Sequence, residues 1–519
     1  MNKNIQSLIN SINKNPCFIF IKKLVKDLPT AEIYLVGGSV RDALLGQKNK
    51  DFDFIVTGIE KEKLEEFLKK CGQVKEVDSR SFGVFKFKPK GHKGEILDVA
   101  LPRKERRIGP GYKDFKIETS AKLGINDDLS RRDFTINAIA LNFKNGNLID
   151  KFNGLSDLKK GIIQAVGKPQ ERFLEDPSRI LRAIRFACQL DFDIEEGTLK
   201  AAIKLSQEIT KKFRYQSKKE KTRVSSEIIA IEFVKGFNKN PVRLIKLYNE
   251  IGILKLILPE VLRLKGVQQP ENFHSEGDVW NHTMLSLKKL NSEVNINVKL
   301  AVLFHDIGKP NTQTLPVSRG DRIRFHEHDE RGAEIFADIT DRLKLSSSFP
   351  KDSPLYVNKK EIFWLIKNHM ICVNNPQKMR PGTIEKYFFK NKIWGKHLLE
   401  LSYADISATI TARGRPDFSS YDLLKKKIAE VEKILKERIK EKRLAQKFPQ
   451  LLDGYEVQKI FNLKPGPMIG RIKDLARYLQ LENLIKTKKD ILKNKEKFLE
   501  ACQNTKTTDK AEDYIKKIT

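Results

Sequence analysis

Two aspartates one residue apart, Asp51 and Asp53, follow a glycine turn in the stretch YLVGGSVRDALLGQKNKDFDFIVTG. Side chains alternate along a strand, so both carboxylates project from one face, roughly 6–7 Å apart at Cα, with Phe52 and Phe54 on the other. Carboxylates so placed hold a pair of divalent cations about 3.5–4 Å apart, the spacing that phosphoryl transfer uses. Asp98, in the strand-like run Glu95-Ile-Leu-Asp-Val-Ala-Leu101, completes a three-acid cluster if its strand lies beside the first. Ahead of the aspartates, Ile33 to Val36 reads as a strand that runs into Gly37-Gly38. Ser39 to Leu45 then reads as a helix with Ser39 as its N-cap. A glycine turn before a helix start offers backbone N–H groups to phosphate, and Arg41 adds a cation there.

A second constellation suits base recognition. In Arg131-Arg-Asp-Phe-Thr-Ile-Asn-Ala138, Asp133 and Asn137 share a face if the segment is helical. Asn137 then reaches a ribose hydroxyl while Arg132 meets a triphosphate. In Glu175-Asp-Pro-Ser-Arg-Ile-Leu-Arg-Ala-Ile-Arg-Phe186 the acids and Pro177 mark a helix start, with Asp176 and Arg179 at i, i+3 and with Arg182 and Arg185 following. A surface ion pair is the plain reading of that spacing. The chemical reading is sharper: cytosine and adenine both present an amino donor beside a ring-nitrogen acceptor. A carboxylate with a guanidinium matches that edge and leaves unpaired groups against guanine or uracil.

A third set is made of histidines, of which the chain has only eight. His274, His282, His305-Asp306 in the string HDIGK, His328, His369 and Asp405 form the series H…H…HD…H…H…D; His328 fits the spacing better than His326. Imidazole with carboxylate is a ligand set for one or two divalent ions such as Mn, Ni, Mg or Fe.

The elements that position these groups follow from pattern. Residues 1–150 mix strands and helices; 151–265 turn helical, as at Ile180, Leu181 and Ile184; 266–415 carry the histidines on helices; and 416–519 hold a charged helix from Tyr421 to about Lys447 and further helical stretches. The fold class is α+β. A net charge of +32 favours a polyanionic partner, nucleic acid before membrane. The five cysteines show no paired spacing, which argues against a disulfide framework or thiolate metal site. No apolar run reaches the length of a membrane span, so no membrane partner and a cytoplasmic location are expected.

The motifs LVGGSVRDALLG, DFD, RRDFTINA, DKFNGLSDLKKG and EDPSRILRAIRF occur in order over roughly the first half of the chain. Together they resemble the class II tRNA nucleotidyltransferase and poly(A) polymerase family. Arg223-Val-Ser-Ser-Glu227 resembles a further, weaker motif, with Thr222 where an acid is usual. The resemblance implies a polymerase-β-like nucleotidyltransferase head, an all-α neck and body, and a helical tail. It implies Mg²⁺ held by Asp51 and Asp53, with Asp98 aligned less securely, and nucleotide binding by Gly37, Gly38, Arg41, Arg132, Asp133, Asn137, Asp176, Arg179, Arg182 and Arg185. The substrates implied are tRNA, CTP and ATP, with no obligate protein partner. Ser81-Phe-Gly-Val-Phe-Lys-Phe87 and the long segment from Arg103 to Leu129, expected as a flexible loop, are similar to the branch that builds a complete CCA end. Polyadenylation and partial CC or A addition stay open as alternatives.

The histidine segment resembles the HD phosphohydrolase superfamily. That likeness implies an all-α domain with a metal site at His282, His305, Asp306, His328, His369 and Asp405, and hydrolysis of phosphomonoesters or cyclic phosphates. The string LKPGPMIGRI resembles the element that closes such fused enzymes, with Asn483 where glycine is common.

Overall fold

The computed structural model describes residues 3–47, 52–76, 83–91, 96–107, 109, 115–214, 220–270, 272–318, 321–373, 376–447, 450–481 and 484–503. Asp51 and Asn483 lie outside these residues. The chain divides into two compact units, residues 1–376 with 391–421, and 377–390 with 422–519.

The first unit opens with a mixed seven-stranded sheet, ordered β3-β4-β5-β2-β1-β8-β9. Its strands are β1 (Glu32–Val36), β2 (Asp53–Thr57), β3 (Gly72–Glu76), β4 (Val84–Pro89), β5 (Leu97–Ala100), β8 (Ala140–Asn142) and β9 (Leu148–Ile149), while β6 (Arg103–Arg107) and β7 (Phe115–Thr119) form a separate antiparallel pair. That pair lies within the segment expected as a loop; charged and apolar residues alternate along β7, while every residue of β6 is charged.

Strand alternation sorts the sheet residues. Ile33, Leu35, Phe54, Val56, Phe85, Phe87, Leu97 and Val99 face a core shared with Ile5, Phe20, Leu24, Val40 and Leu64 of the covering helices. Aromatic rings interlock there, with Phe20 and Phe87 centroids 4.9 Å apart. Tyr34, Val36 and Ile55 face the opposite side, against Ile125, Leu129 and Ala140. Asp53 and Asp98, one residue out of phase with the phenylalanine core, therefore lie on this second face.

Helix Gly38–Leu44 begins differently from the sequence expectation. Its N-cap is Gly37 at φ +74°, and Ser39 is buried inside the first turn. Beyond the sheet, the unit is built from helices that include Pro169–Glu175, Ser178–Leu190, Ser226–Lys239, Val279–Lys289, Ile296–Phe304, His328–Leu343, Lys359–Asn368 and Lys392–Ala408.

The second unit has its own core, with Leu452, Val457, Phe461, Ile472, Leu479, Ile491 and Phe498 in contact. Helix Ser419–Lys447, expected to be polar on most faces, buries Leu424 and Val431. Among the described residues no helix is long and apolar enough to cross a membrane.

Candidate active site and metal centre

Asp53 and Asp98 are direct register partners on the parallel strands β2 and β5, and Lys86 on β4 is the register partner of Asp98 on the other side. The row Lys86–Asp98–Asp53 crosses three strands on one face. Lys86 Nζ lies 2.5 Å and 2.8 Å from the two Asp98 oxygens. Asp98 thus sits beside Asp53 as anticipated, but its charge is already answered by a lysine that sequence reasoning did not single out.

The turn before the helix touches both the acid and a cation. A Cβ on Gly37 would lie 2.9 Å from Arg132 Nη1 and 3.8 Å from Asp53 Oδ2. Only a glycine accepts both this contact and the positive φ. Arg132 is held there by Asp128, whose Oδ2 accepts from Nε and Nη2 at 3.2 and 3.0 Å, while Arg131 donates to the other oxygen. Asp128 is fully buried; burial raises its pKa, but the two guanidinium groups outweigh that and hold it below its usual value. Its spacing of three and four residues from Arg131 and Arg132 was the signal that could have found it.

Asp133 and Asn137 meet across a 3₁₀ turn, Thr135–Asn137, rather than along an α-helix. Asn137 Nδ2 donates to Asp133 Oδ1 at 3.1 Å, and Asn137 Oδ1 accepts from Arg41 Nη1 at 2.8 Å. Arg182 Nε and Nη2 donate to Asp133 Oδ2 at 2.8 and 2.6 Å. Arg185 is turned to Glu232 and Gln189 and does not line the cleft. Arg41, Arg182 and Arg185 all stand over the Phe186 ring, at 5.1, 5.5 and 4.1 Å from its centroid. Burial pushes the Asp133 carboxyl up, yet Arg182 and the hydrogen bonds hold it far below its ordinary value.

The side chains of Asp176 and Arg179 do not pair with each other, although Arg179 N–H donates to the Asp176 carbonyl at 3.1 Å. Asp176 takes an extended conformation, as the residue before a proline must, and its Oδ1 accepts from Ser178 N–H at 2.9 Å. Arg179 donates to Glu175 Oε2 at 3.3 Å and to the Arg131 carbonyl at 3.1 Å. Arg172 donates to the Arg131 and Arg132 carbonyls, and buried Arg223 to the Leu174 carbonyl. These bonds fasten the two recognition segments together. Asp53, Asp98, Arg132, Asp133, Asp176, Arg179 and Arg182 line one cleft of about 410 Å³.

The histidine cluster is a second centre in the same unit. His305, His328 and His369 each place Nδ1 at 2.7–2.8 Å from a backbone carbonyl, those of Val302, Phe325 and Ile366. A carbonyl only accepts, so Nδ1 carries the proton and each Nε2 presents a lone pair. His282 Nδ1 is held instead by Glu276 Oε1 at 2.8 Å, with its Nε2 2.9 Å from Asp405 Oδ1. Asp306 lies between: Oδ2 is 3.2 Å from His305 Nε2, and Oδ1 is 3.5 Å from His328 Nε2. His305 Nε2 is buried without a hydrogen-bond partner among the described residues. Converging imine nitrogens and carboxylates, each steadied from behind, are what a divalent cation requires, so the donor set fits a metal. His282, His305 and Asp306 make one such group and Asp306, His328 and His369 another.

Burial lowers His282, but Asp405 and Glu276 lift it to about 9. Burial and the rings of His328 and His305 push His369 down to about 4. Burial raises Glu276, but hydrogen bonds from His274, His282 and the Ile410 N–H hold it at about 2. Gly308 of the HDIGK string explains itself sterically: a Cβ there would lie 2.1 Å from the His328 carbonyl oxygen. Glu276 was missed in the sequence because a carboxylate two residues from His274 carries no spacing of its own. Lys309, which donates to Gln269 and lies 2.7 Å from Asp306 Oδ2, balances charge.

A family model described as the poly A polymerase head domain matches residues 33–164, and one described as the HD domain matches residues 279–387. The chain is 32% identical over 390 residues to a multifunctional CCA protein of Nitrosomonas eutropha, covering 75% of this chain and 85% of that one. It is 36% identical over 317 residues to a multifunctional CCA protein of Neisseria meningitidis serogroup B, covering 60% and 68%. Among solved structures, a CCA-adding enzyme in its apo form II superposes with a TM-score of 0.52 at 20% identity, covering 99% of this chain and 97% of that one. A CCA-adding enzyme in complex with CTP superposes with a TM-score of 0.50 at 22% identity, covering 96% and 99%; at these identities the likeness speaks for the fold. The head with its acid pair, the helical body and the histidine centre thus come with relatives of the same make-up, and the chain belongs to the class II tRNA nucleotidyltransferase and poly(A) polymerase family, in the branch that carries an HD domain.

Proposed function

We infer that the protein is a template-independent tRNA nucleotidyltransferase, which builds the 3′-terminal CCA from CTP and ATP and releases pyrophosphate. The observation that carries the reading is one cleft lined both by Asp53 and by Asp176 with Arg179. It supports joining phosphoryl transfer to base selection at a single site.

Asp53 and Asp98, with Asp51, are the residues that would hold divalent cations, Mg²⁺ by this reading. Bound cations supply charge neutralisation at the triphosphate and a lowered pKa at the attacking hydroxyl. The RNA 3′-oxygen forms a bond to the α-phosphorus of the nucleotide as the bond to pyrophosphate breaks, in line. Arg132, fixed by Asp128 above the Gly37 turn, is positioned to meet the triphosphate. Arg41, Asn137, Asp133 and Arg182 form a bonded chain that pre-sets the wall of the cleft, so little reorganisation remains when substrate arrives. Asp176 accepts from the amino group of cytosine or adenine, and Arg179 donates to the ring nitrogen beside it. Guanine and uracil leave both groups unmatched.

Functionally we divide the chain into the head at 1–150, the neck and body at 151–265, the HD segment at 266–415 and the C-terminal region at 416–519. A cytoplasmic location belongs to the same reading, since tRNA, CTP and ATP are held there. The deciding experiment offers tRNA transcripts ending in the discriminator base, in C and in CC, each with one labelled nucleotide, and sequences the products. Ordered C, C, A incorporation is expected; a long adenosine tail, or arrest after CC, would overturn the assignment.

A second activity is favoured by one observation, the convergence of bare Nε2 atoms and carboxylates in the HD segment. We read it as a phosphohydrolase that uses Mg, Mn, Ni or Fe on RNA 3′-phosphates or cyclic phosphates. Loss of phosphate release in His305→Ala with retained CMP incorporation separates it from the head.

A further inference from the structure

The histidine centre forms part of the lining of a cleft of about 990 Å³, far larger than the transferase cleft. Pockets for a single drug-sized ligand run from about 300 to 1,000 Å³, and this one stands at the upper end of that range. Its lining is unusual in charge. Arg322, Arg413 and Arg415 border it, and among the described residues none forms a close ion pair; Asp417 lies near enough to Arg413 and Arg415 for their charge to lower its pKa. Asp306 and Asp405 lie at the metal centre, and Asp417 is already engaged by the Ser419 N–H at 2.9 Å. Three guanidinium groups outnumber that one carboxylate, and the positive charge that remains suits an anion with more than one phosphate.

Aromatic faces accompany the arginines. Phe273 is 49% exposed and lines the cleft, with the Arg322 guanidinium 5.7 Å from its ring centroid. Phe418, also on the lining, is backed by Tyr403 with ring centroids 5.4 Å apart. Basic groups interleaved with an exposed ring and a half-buried one resemble the arrangement by which single-stranded nucleic acid is held, phosphates on the cations and bases on the rings.

The arginine turn is built rather than loose. Thr411 N–H and Oγ1 donate to the Arg415 carbonyl at 3.3 and 2.7 Å, and Gly414 takes φ +73° to close the turn. Ala412 N–H donates to the Asn272 carbonyl at 3.2 Å, and Ser275 N–H to the Ile410 carbonyl at 2.8 Å. Arg413 and Arg415 are therefore tied by backbone bonds to the segment that carries Phe273.

We propose that Arg322, Arg413 and Arg415, with Phe273 and Phe418, form a binding track for single-stranded RNA that delivers a phosphorylated 3′ end to the histidine centre. The track selects an oligonucleotide over a free nucleotide. It rests on the reading of that centre as a phosphohydrolase. In the step served, water oxygen bonds to phosphorus, the phosphorus–ribose oxygen bond breaks, and the ribose oxygen leaves as a hydroxyl with a proton from water. Orthophosphate is released.

The test uses the full chain and a single-stranded RNA octamer with 5′-fluorescein and a 3′-phosphate. Binding is followed by anisotropy in EDTA across a salt series, for the natural protein, Arg413→Ala/Arg415→Ala and, separately, Arg322→Ala. Each phosphate contact on a single strand contributes a slope of about −0.7 to the log–log salt dependence, so the double variant should lose about 1.4 of slope and bind about tenfold more weakly. Arg413→Lys/Arg415→Lys should keep most of the slope, and an unchanged melting temperature shows that folding is intact. Release of phosphate from the octamer and from p-nitrophenyl phosphate is then measured with Mn²⁺. If the variants bind RNA as the natural protein does while p-nitrophenyl phosphate is still cleaved, the track is wrong and the hydrolase reading stands. If binding falls as expected but neither compound is cleaved with any divalent metal, the track stands and the hydrolase reading falls.

Discussion

His328 and His369 face each other Nε2 to Nε2 at 3.3 Å, and both rings spend their Nδ1 protons on backbone carbonyls. Two lone pairs at that distance repel unless a cation or a proton stands between them. Burial, with His328 and His305 alongside, pushes His369 to about 4, so a proton is a poor substitute near neutrality. Divalent metal should therefore stabilise the first unit, by about 2.7 kcal/mol at a hundredfold excess over Kd. Mn²⁺ added to chelator-treated protein should raise the melting temperature, and His369→Ala should cancel the rise and reduce bound metal in elemental analysis. An equal rise in the variant would place the metal elsewhere.

Asp53 offers a different test, because it sits on the sheet face rather than in a core. Asp53→Ala should lower CMP and AMP incorporation together, by about a hundredfold or more, since a carboxylate that would hold the charge-neutralising cations is lost. Thermal stability should barely move. A large fall in melting temperature would mean that the carboxylate serves folding.

Base choice should respond to the other wall of the same cleft. Asp176→Asn turns an acceptor-only group into one that also donates, and so should narrow the preference for CTP over UTP. An unmatched buried polar group costs about 1–3 kcal/mol, so the ratio of kcat/KM values should fall by about 5- to 150-fold. Arg179→Ala should relax selection as well. Unaltered discrimination in both variants would mean that the base is read by other groups.

Periodicity and spacing made much of this legible. Alternation along β2 placed Asp53 opposite the phenylalanines, and the string HDIGK marked two members of the cluster of histidines and carboxylates. Partners brought by tertiary packing were hidden. Lys86 reaches Asp98 because β4 pairs with β5, a neighbour relation that no local window contains. Glu276 reaches His282 from the turn six residues ahead of it, whereas Asp405, named with His282 from the sequence, comes from a distant helix. The Asp176–Arg179 spacing suggested an ion pair, but Pro177 forces Asp176 out of the helix and leaves Arg179 to Glu175, one turn away.

Acid should strike the head through Asp133. Its folded carboxyl lies below the unfolded value of 3.8 because Arg182 and Asn137 favour the charged form over the penalty of burial. The folded state then binds fewer protons than the unfolded one. The stabilisation is complete above the unfolded value and drains away as pH falls below it. Asp133→Asn should flatten that part of the acid arm of melting temperature against pH. At pH 7 the variant should lose about 1–3 kcal/mol, less than a sealed pair would, because the Arg182 side chain is 36% exposed. An acid arm identical in the two proteins would shift the effect to other carboxylates.

Gly37 separates backbone strain from crowding at the transferase site. At φ +74° and ψ −137° a side chain adds about 1–3 kcal/mol of backbone strain wherever it points. The added Cβ would also meet Arg132 Nη1 at 2.9 Å and displace a guanidinium that Asp128 holds from two nitrogens. Gly37→Ala should therefore lose incorporation well beyond what its melting temperature explains, chiefly through KM for the nucleotide if Arg132 binds triphosphate. Gly91, at φ +76° with nothing among the described residues within 4 Å of its Cβ position, gives the control. Gly91→Ala carries conformational strain without displacing a functional group, and should lower stability while leaving KM alone. If the two variants behaved alike, the contact between the turn and Arg132 would have no part in nucleotide binding.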